Sequence, residues 1–336
     1  MDCDRDVREG RTPFLQSNLL PIRGSLPSAA APEITIRRCP VTDCNALRAT
    51  YSPDGETVTS ETRCGRTTLF SYDGCHRLIR VDDPAENATW RYCYDERGNL
   101  TAKTRHMFTI GTPGAAREVI RLLYADDRLC AYGDQPLVYS AAGELAEAGG
   151  WRYEWKSRRL SSMRTDGKTL TFRCNASGQR LQKCMDASWF PVITSYSWRQ
   201  GRLAQMVIAR TGYDEIERKT TLRYSYDERG CPEMVEYNGT AYTCLCDSAG
   251  SVVALLDGSG ETAVSYDYDA WGRQLAVSGR LADTLGADNP VRFRGMLYDP
   301  ETGLYDNGGV PYCPEYGRYL TEPYVFSGNN PHIPRR

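Results

Sequence analysis

Over much of this chain, apolar and polar residues alternate with a period of two. In Leu222-Arg-Tyr224-Ser-Tyr226 the residues Leu222, Tyr224 and Tyr226 share one face, and Thr89-Trp-Arg-Tyr-Cys-Tyr94 and Val264-Ser-Tyr266-Asp-Tyr268 read likewise. Such alternation marks half-buried antiparallel strands. Asp54-Gly55, Asp166-Gly167, Asn238-Gly239 and Asp257-Gly258 lie between the runs and are the dipeptides favoured by tight hairpin loops. The most helix-like stretch, residues 115–124, reads as easily as a strand. The pattern predicts an all-β chain.

A longer regularity runs through these strands. An aromatic ends an alternating run, a polar turn follows, often with glycine, and an apolar residue resumes the next strand. The best copies are Tyr72-Asp-Gly-Cys-His-Arg-Leu78, Tyr94-Asp-Glu-Arg-Gly-Asn-Leu100, Tyr226-Asp-Glu-Arg-Gly-Cys231 and Tyr268-Asp-Ala-Trp-Gly-Arg-Gln-Leu275. Weaker copies start at Tyr124, Tyr139, Trp155, Cys174, Trp198 and Cys246, the one at Cys174 ending on Leu181. One hairpin cannot bury its own apolar face, whereas stacked neighbours can. Ten such phrases predict a repeat array in which the aromatic packs inward, Asp or Ser caps the turn, and glycine takes a positive φ.

Composition sharpens this. The 336 residues include 22 Tyr against 7 Phe and 6 Trp, an excess suited to pleated surfaces where a ring packs and its hydroxyl stays wet. The net charge of −2 offers no field for nucleic acid or an anionic membrane. The longest apolar run, at Val252 to Leu256, is too short for a membrane span. Thirteen cysteines cannot all pair internally, none forms Cys-x-x-Cys, and His76, His106 and His332 stand apart. Buried thiols are therefore expected rather than a disulfide framework or a zinc site. The charged start, Met1 to Glu9, reads as neither a signal nor a transit peptide, which leaves a cytosolic chain, a signal-independent exported one, or a fragment.

The phrases at Tyr94 and Tyr226 resemble the YD repeat of the Rhs family, which includes bacterial polymorphic toxins, Tc-toxin C components and, more distantly, teneurins. Asn289-Pro-Val-Arg-Phe-Arg-Gly295, Tyr298-Asp-Pro-Glu-Thr-Gly-Leu-Tyr305 and Pro314-Glu-Tyr-Gly-Arg-Tyr-Leu320 are similar, in order and spacing, to its repeat-associated core, with Gly328-Asn-Asn-Pro331 following. The resemblance covers roughly residues 51–331. It implies hairpin repeats winding into a curved or spiral β-shell, plugged at one end by the core motif and holding an unfolded or partly folded toxin. The expected division is a partly disordered leader over 1–50, the array over 51–285, the core segment over 286–331 and a tail over 332–336. Too little chain follows the core for a folded toxin, and ten repeats suit a short, truncated or co-assembling shell.

Many family members cut themselves with core aspartates that act as an aspartyl-protease-like pair. Here Cys313 replaces one aspartate, Glu322-Pro323 stands at the cleavage segment, and Asp306-Asn307 interrupts the tyrosine-rich run. The remaining acids, Asp299, Glu301, Asp306, Glu315 and Glu322, are the candidate dyad; Cys313 with His332 is a candidate nucleophile pair. Solvated turn caps and a buried thiol are the readings favoured for them. No catalytic, cofactor-binding or metal-binding residue is assigned, and no cofactor is expected. Three functions follow: an inert shell element with a toxin polypeptide or further Rhs segments as partner, a carbohydrate- or protein-binding β-repeat module, with Trp90, Trp151, Trp155 and Trp271 as the candidates for sugar, and a self-cleaving core. The first is the expectation. Asn87, Asn99, Asn175 and Asn238 fit glycan-acceptor patterns, which matter only on a eukaryotic secretory route.

Overall fold

A computed structural model describes residues 33–36 and 47–321, other than 54, 56, 127, 188, 189, 213 and 215. The recurring phrase folds as a self-closing loop. The Asp95 N–H donates to the Asn99 carbonyl and the Gly98 N–H donates back to the Asp95 carbonyl, both at 3.0 Å. The Asp95 carboxylate then accepts the Asn99 N–H at 2.7 Å. Ser140, Asn175, Asp227, Asp247, Asp257 and Asp269 open loops with the same pair of backbone bonds. The fourth position of these loops needs a positive φ, as at Gly98 (85°), and glycine adopts it without steric cost. In the Asp73 loop His76 takes that position at 58°.

Asp257-Gly258 belongs to this loop type, not to the two-residue hairpin expected of it. The Asp257 carboxylate accepts the Ser259 and Glu261 N–H groups, which holds a longer loop, and Gly260 rather than Gly258 has the positive φ. Asn238-Gly239, Cys64-Gly65, Gly149-Gly150, Ser157-Arg158 and Gln200-Gly201 are tight loops with positive φ at both positions, as a type I′ turn requires, and Asp166-Gly167 is a two-residue loop with positive φ at Gly167 alone. Asp54 lies outside the described residues.

Immediately before the first residue of every phrase, an aromatic in eight and a cysteine at 174 and 246, the strand register slips by one residue. A bulge of this kind re-aims a side chain, and here it sends the ring back to the preceding repeat. The Tyr94 hydroxyl donates to the Leu78 carbonyl at 2.7 Å, Tyr124 to Leu100 at 3.0 Å, Tyr139 to Leu129 at 2.8 Å and Tyr226 to Leu203 at 2.9 Å. The indole N–H of Trp155 does the same to Leu145, and that of Trp198 to Arg180. Each acceptor is the residue that resumes the strand after the previous loop. Tyr72 donates in this way to Val58, which pairs with Tyr51 across the same bulge and so reveals a further copy that the sequence pattern had not disclosed.

All strands pair antiparallel with their neighbours in sequence. Among the described residues, ten run from Glu33 to Pro136, fourteen from Val138 to Ser278, and four short ones from Leu297 to Tyr319. The ambiguous stretch near Ala115 becomes the strand Glu118–Ala125. Single helical turns at Ala282–Gly286 and Phe293–Gly295 link the array to the last small sheet. One core joins Leu78, Leu100, Leu129 and Leu170 of the array to Leu304, Cys313, Tyr316 and Leu320; a second joins Leu203, Leu222 and Tyr266 to Leu285, Val291 and Leu297. Residues 281–320 therefore lie along the face of the array that carries the clamping rings.

The array curves until its ends meet. Arg63, on Val58–Arg63, donates to the Tyr266 carbonyl at 2.9 Å and to the Val253 carbonyl and Ser265 hydroxyl at 2.7 Å. Tyr266 is 203 residues further along the chain. Removing one clamp while keeping its ring isolates its worth. Tyr94→Phe and Tyr226→Phe are each expected to lower unfolding free energy by about 1 kcal/mol, read by urea denaturation, with faster amide exchange in the flanking strands.

Candidate functional site

The phrase that begins at Cys174 breaks the repeat at its last position. Tyr94 faces Leu100, Trp155 faces Leu160 and Trp198 faces Leu203, but Cys174 faces Arg180. The sequence pattern had put Leu181 there. Because the Asn175 N–H closes the loop on the Gln179 carbonyl, Arg180 is the first strand residue, and a one-residue slip leaves Leu181 exposed. The last phrase behaves alike: Tyr268 faces Gln274, not Leu275.

Both exceptions bind the C-terminal segment. The Arg180 guanidinium lies over the Phe172 ring, its Nη1 donates to the two Asp299 oxygens at 2.8 and 2.7 Å, and its Nε lies 3.4 Å from Asp306 Oδ2. Lys183, on the same strand, donates to Asp299 at 3.0 Å and to Glu301 Oε2 at 2.9 Å. Asp299 and Asp306 end the paired strands Leu297–Asp299 and Leu304–Asp306 and are only 3% and 5% exposed. Gln274 accepts a hydrogen bond from Arg292, a buried side chain that also holds the Asn289 and Gly286 carbonyls and stacks on Tyr266 and Tyr298. Tyr305 and Tyr312 extend the repeat's own device, donating to the Gly272 and Trp271 carbonyls of the last loop. At Gly178 the loop runs so close to Gly308 that a Cβ would sit 2.5 Å from its carbonyl oxygen.

These charges do not form a proton-sharing pair. Burial alone would push Asp299 up, but Arg180 and Lys183, by charge and hydrogen bond, outweigh it and hold the carboxyl below the usual range. Burial pushes Asp306 up, and Arg180 offsets this only in part. Burial likewise opposes the charge on Arg180, yet Asp299 and Asp306 raise it overall. A water-activating dyad needs one proton between two adjacent carboxyls, whereas here a permanent cation contacts both. The arrangement is a charge clamp between array and segment.

The other candidates are scattered. Glu301 serves Lys183. The Glu315 side chain is exposed, and its carbonyl accepts a bond from the buried Lys103 Nζ at 2.6 Å, whose ammonium burial pulls down to about 8. Cys313 is buried, and burial pushes its thiol up to about 12, the reverse of what a nucleophile requires. Glu322 and His332 lie outside the described residues. Trp90 and Trp271 are buried in the core, and Trp151 and Trp155 pack partly against it. Of the glycan-acceptor patterns, Asn87 and Asn238 are exposed, while Asn99 is buried and bonded to Asp95. Cys244 and Cys246 are free thiols. Among the described residues, no group of three or more His, Cys, Asp or Glu gathers to hold a metal. Arg180, Lys183 and Arg292 were not candidates from sequence; aligning the loops on their Asp or Asn and Gly would have set Arg180 and Gln274 in the closing column.

Hairpin repeats clamped by aromatics around a buried C-terminal segment define a repeat-shell protein. The Teneurin YD-shell family model matches residues 61–333, and the chain belongs to that family. It is 26% identical over 280 residues to the tRNA3(Ser)-specific nuclease WapA of Bacillus spizizenii, covering 77% of this chain and 11% of that protein. It is 25% identical over 279 residues to double-stranded DNA deaminase toxin A of Burkholderia cenocepacia (82% and 15%), and 25% over 310 residues to mouse Teneurin-4 (84% and 10%). The chain thus spans 10 to 15% of the length of these relatives. The Photorhabdus luminescens Tc holotoxin pore structure has the same fold, with TM-score 0.68 and 18% identity over 86% of this chain and 16% of that one.

Breaking the clamp by Arg180→Leu strips Asp306 of its cation and leaves Asp299 to Lys183 alone, an expected loss of about 3–5 kcal/mol, with faster proteolysis within residues 297–319. Asp299→Asn costs more than Asp306→Asn, since burial already disfavours the Asp306 charge. Asp299 has a folded pKa below its unfolded value of about 3.9, so its stabilisation is complete above that pH and is lost as pH falls towards the folded value. The acid limb of the stability curve is expected to flatten in Asp299→Asn.

Proposed function

We propose that this chain is a non-enzymatic wall-and-seal element of an encapsulating shell, with residues 51–285 as wall and 286–331 as seal. The observation that carries this is the charge clamp. Of the acids that could have formed a hydrolytic dyad, Asp299, Glu301 and Asp306 are committed to Arg180 and Lys183, and through them they fix the segment to the inner face. The segment is shared core rather than a separate lobe, as a seal requires. Family membership and relatives named as a nuclease and a deaminase toxin support a toxin polypeptide as the enclosed partner, with further shell segments completing the wall. The buried positions of Trp90 and Trp271 favour this reading over a carbohydrate-binding face.

The test is the full chain carrying an unfolded, protease-sensitive polypeptide after its last residue. The expected result is one uncleaved mass, 37.7 kDa of it from the chain itself, and slower digestion of the attached polypeptide than of the same polypeptide alone. A clipped product, or equal digestion rates, would contradict it.

A further inference from the structure

Where the two ends of the array meet, they flank an open cleft of about 330 Å³. One wall is the hairpin of Val58–Arg63 and Arg66–Tyr72, with Glu61 and Phe70; the other is formed by the Asp247 loop and Tyr268, with Phe293 behind. Five carboxylates line it (Glu61, Asp83, Asp247, Asp267 and Asp269) against two arginines, Arg63 and Arg66. Four of the five have structural partners. Asp83 accepts the Ala85 N–H, Asp247 those of Ala249 and Ser251, and Asp269 those of Trp271 and Arg273, while Asp267 pairs with Arg63. Glu61 differs. Its Oε1 is shielded from solvent and meets no hydrogen-bond donor, an omission that costs a folded protein about 1–3 kcal/mol. Arg63 cannot supply the missing donor, because its guanidinium is committed to Tyr266, Val253, Ser265 and Asp267.

We propose that this cleft binds an organic cation, an ammonium or guanidinium group on a short apolar stem, with Glu61 as its counter-charge. The volume is at the lower end of the range of small-ligand pockets. Phe70, Phe293 and Val58 offer the stem apolar contact, and the Tyr268 ring adds a face of the kind cations favour. Occupancy would join this hairpin to the last repeats, so the ligand would tighten the seam of the array. This inference does not depend on what the shell encloses.

The site also titrates. Burial and the neighbouring Asp247 push the Glu61 carboxyl up to about 8. Arg63 and Arg66 on its own hairpin, Tyr51 and Tyr72 beside it, and Asp83, Asp247, Asp267, Asp269 and Arg294 opposite are the groups that face it. A cation entering at neutral pH displaces the Glu61 proton to buffer. Its affinity therefore rises about tenfold from pH 6 to pH 7 and levels off above about pH 8, following the ionised fraction.

Isothermal titration of the full chain tests this, with agmatine and butylammonium as free amines and an acetylated, amidated arginine peptide as a polypeptide side chain. The expected result is saturable binding with proton release, at least about tenfold weaker in Glu61→Gln and partly kept in Glu61→Asp. Amines binding alone identify a free metabolite-like ligand, and the peptide binding as well identifies a side chain; either supports the site. No binding by any probe, equal binding by a folded Glu61→Gln protein, or affinity that falls with rising pH would overturn it.

Discussion

The fold depends on one contact made again and again: an aromatic donor of one repeat ends on the carbonyl that closes the repeat before it. Antiparallel ladder bonds already hold each strand to its neighbours in sequence, and the aromatic link adds a side-chain tie between the loop ends of successive repeats. The bulge before each ring aims it along the array, and the carboxylate-capped loop fixes the acceptor. Because both partners recur, nine of the ten phrases make the same link, with Cys246 reaching the Pro232 carbonyl through sulfur at 3.4 Å. Tyrosine suits the place because its ring supplies buried area while its hydroxyl supplies the donor. The excess of tyrosine over phenylalanine is the compositional trace of that requirement.

A repeat array has no intrinsic end, and this chain solves the problem by changing the repeat. At Arg180 and Gln274 the apolar closing residue becomes polar and turns to the C-terminal segment instead of to the array's own core. A buried cation is costly unless paired, so Arg180 demands the acids Asp299 and Asp306, and they in turn demand it. Such mutual need adds specificity more than net stability. Apolar packing of Leu304, Tyr316 and Leu320 supplies area, while the charges fix where the segment sits.

Much of this was legible in the sequence. Period-two alternation gave the strands, the Asp-to-Gly phrases gave the loops, and the order of the core motifs gave the segment. What was hidden concerned single-residue register. Leu181 and Leu275 look like closing residues because they are apolar and adjacent, yet loop closure at Gln179 and Arg273 sets the strand one residue earlier. The same slip concealed the clamp: Arg180 reads as a surface charge until the loop bonds are counted. Asp299 and Asp306 read as solvated turn caps, but they are buried against Arg180 and Lys183, more than a hundred residues away and beyond any local pattern. Asp257-Gly258 failed because the dipeptide does not reveal a carboxylate holding the loop open for two further residues.

Native-state hydrogen exchange on the full chain tests the central claim most directly, that array and C-terminal segment are one cooperative body. Amides of Leu304–Asp306 and Pro311–Cys313 are expected to open with the same free energy as those of Leu100–Met107 and Arg180–Asp186. Exchange in the segment at the rate of an unstructured peptide, with the array still protected, would contradict it.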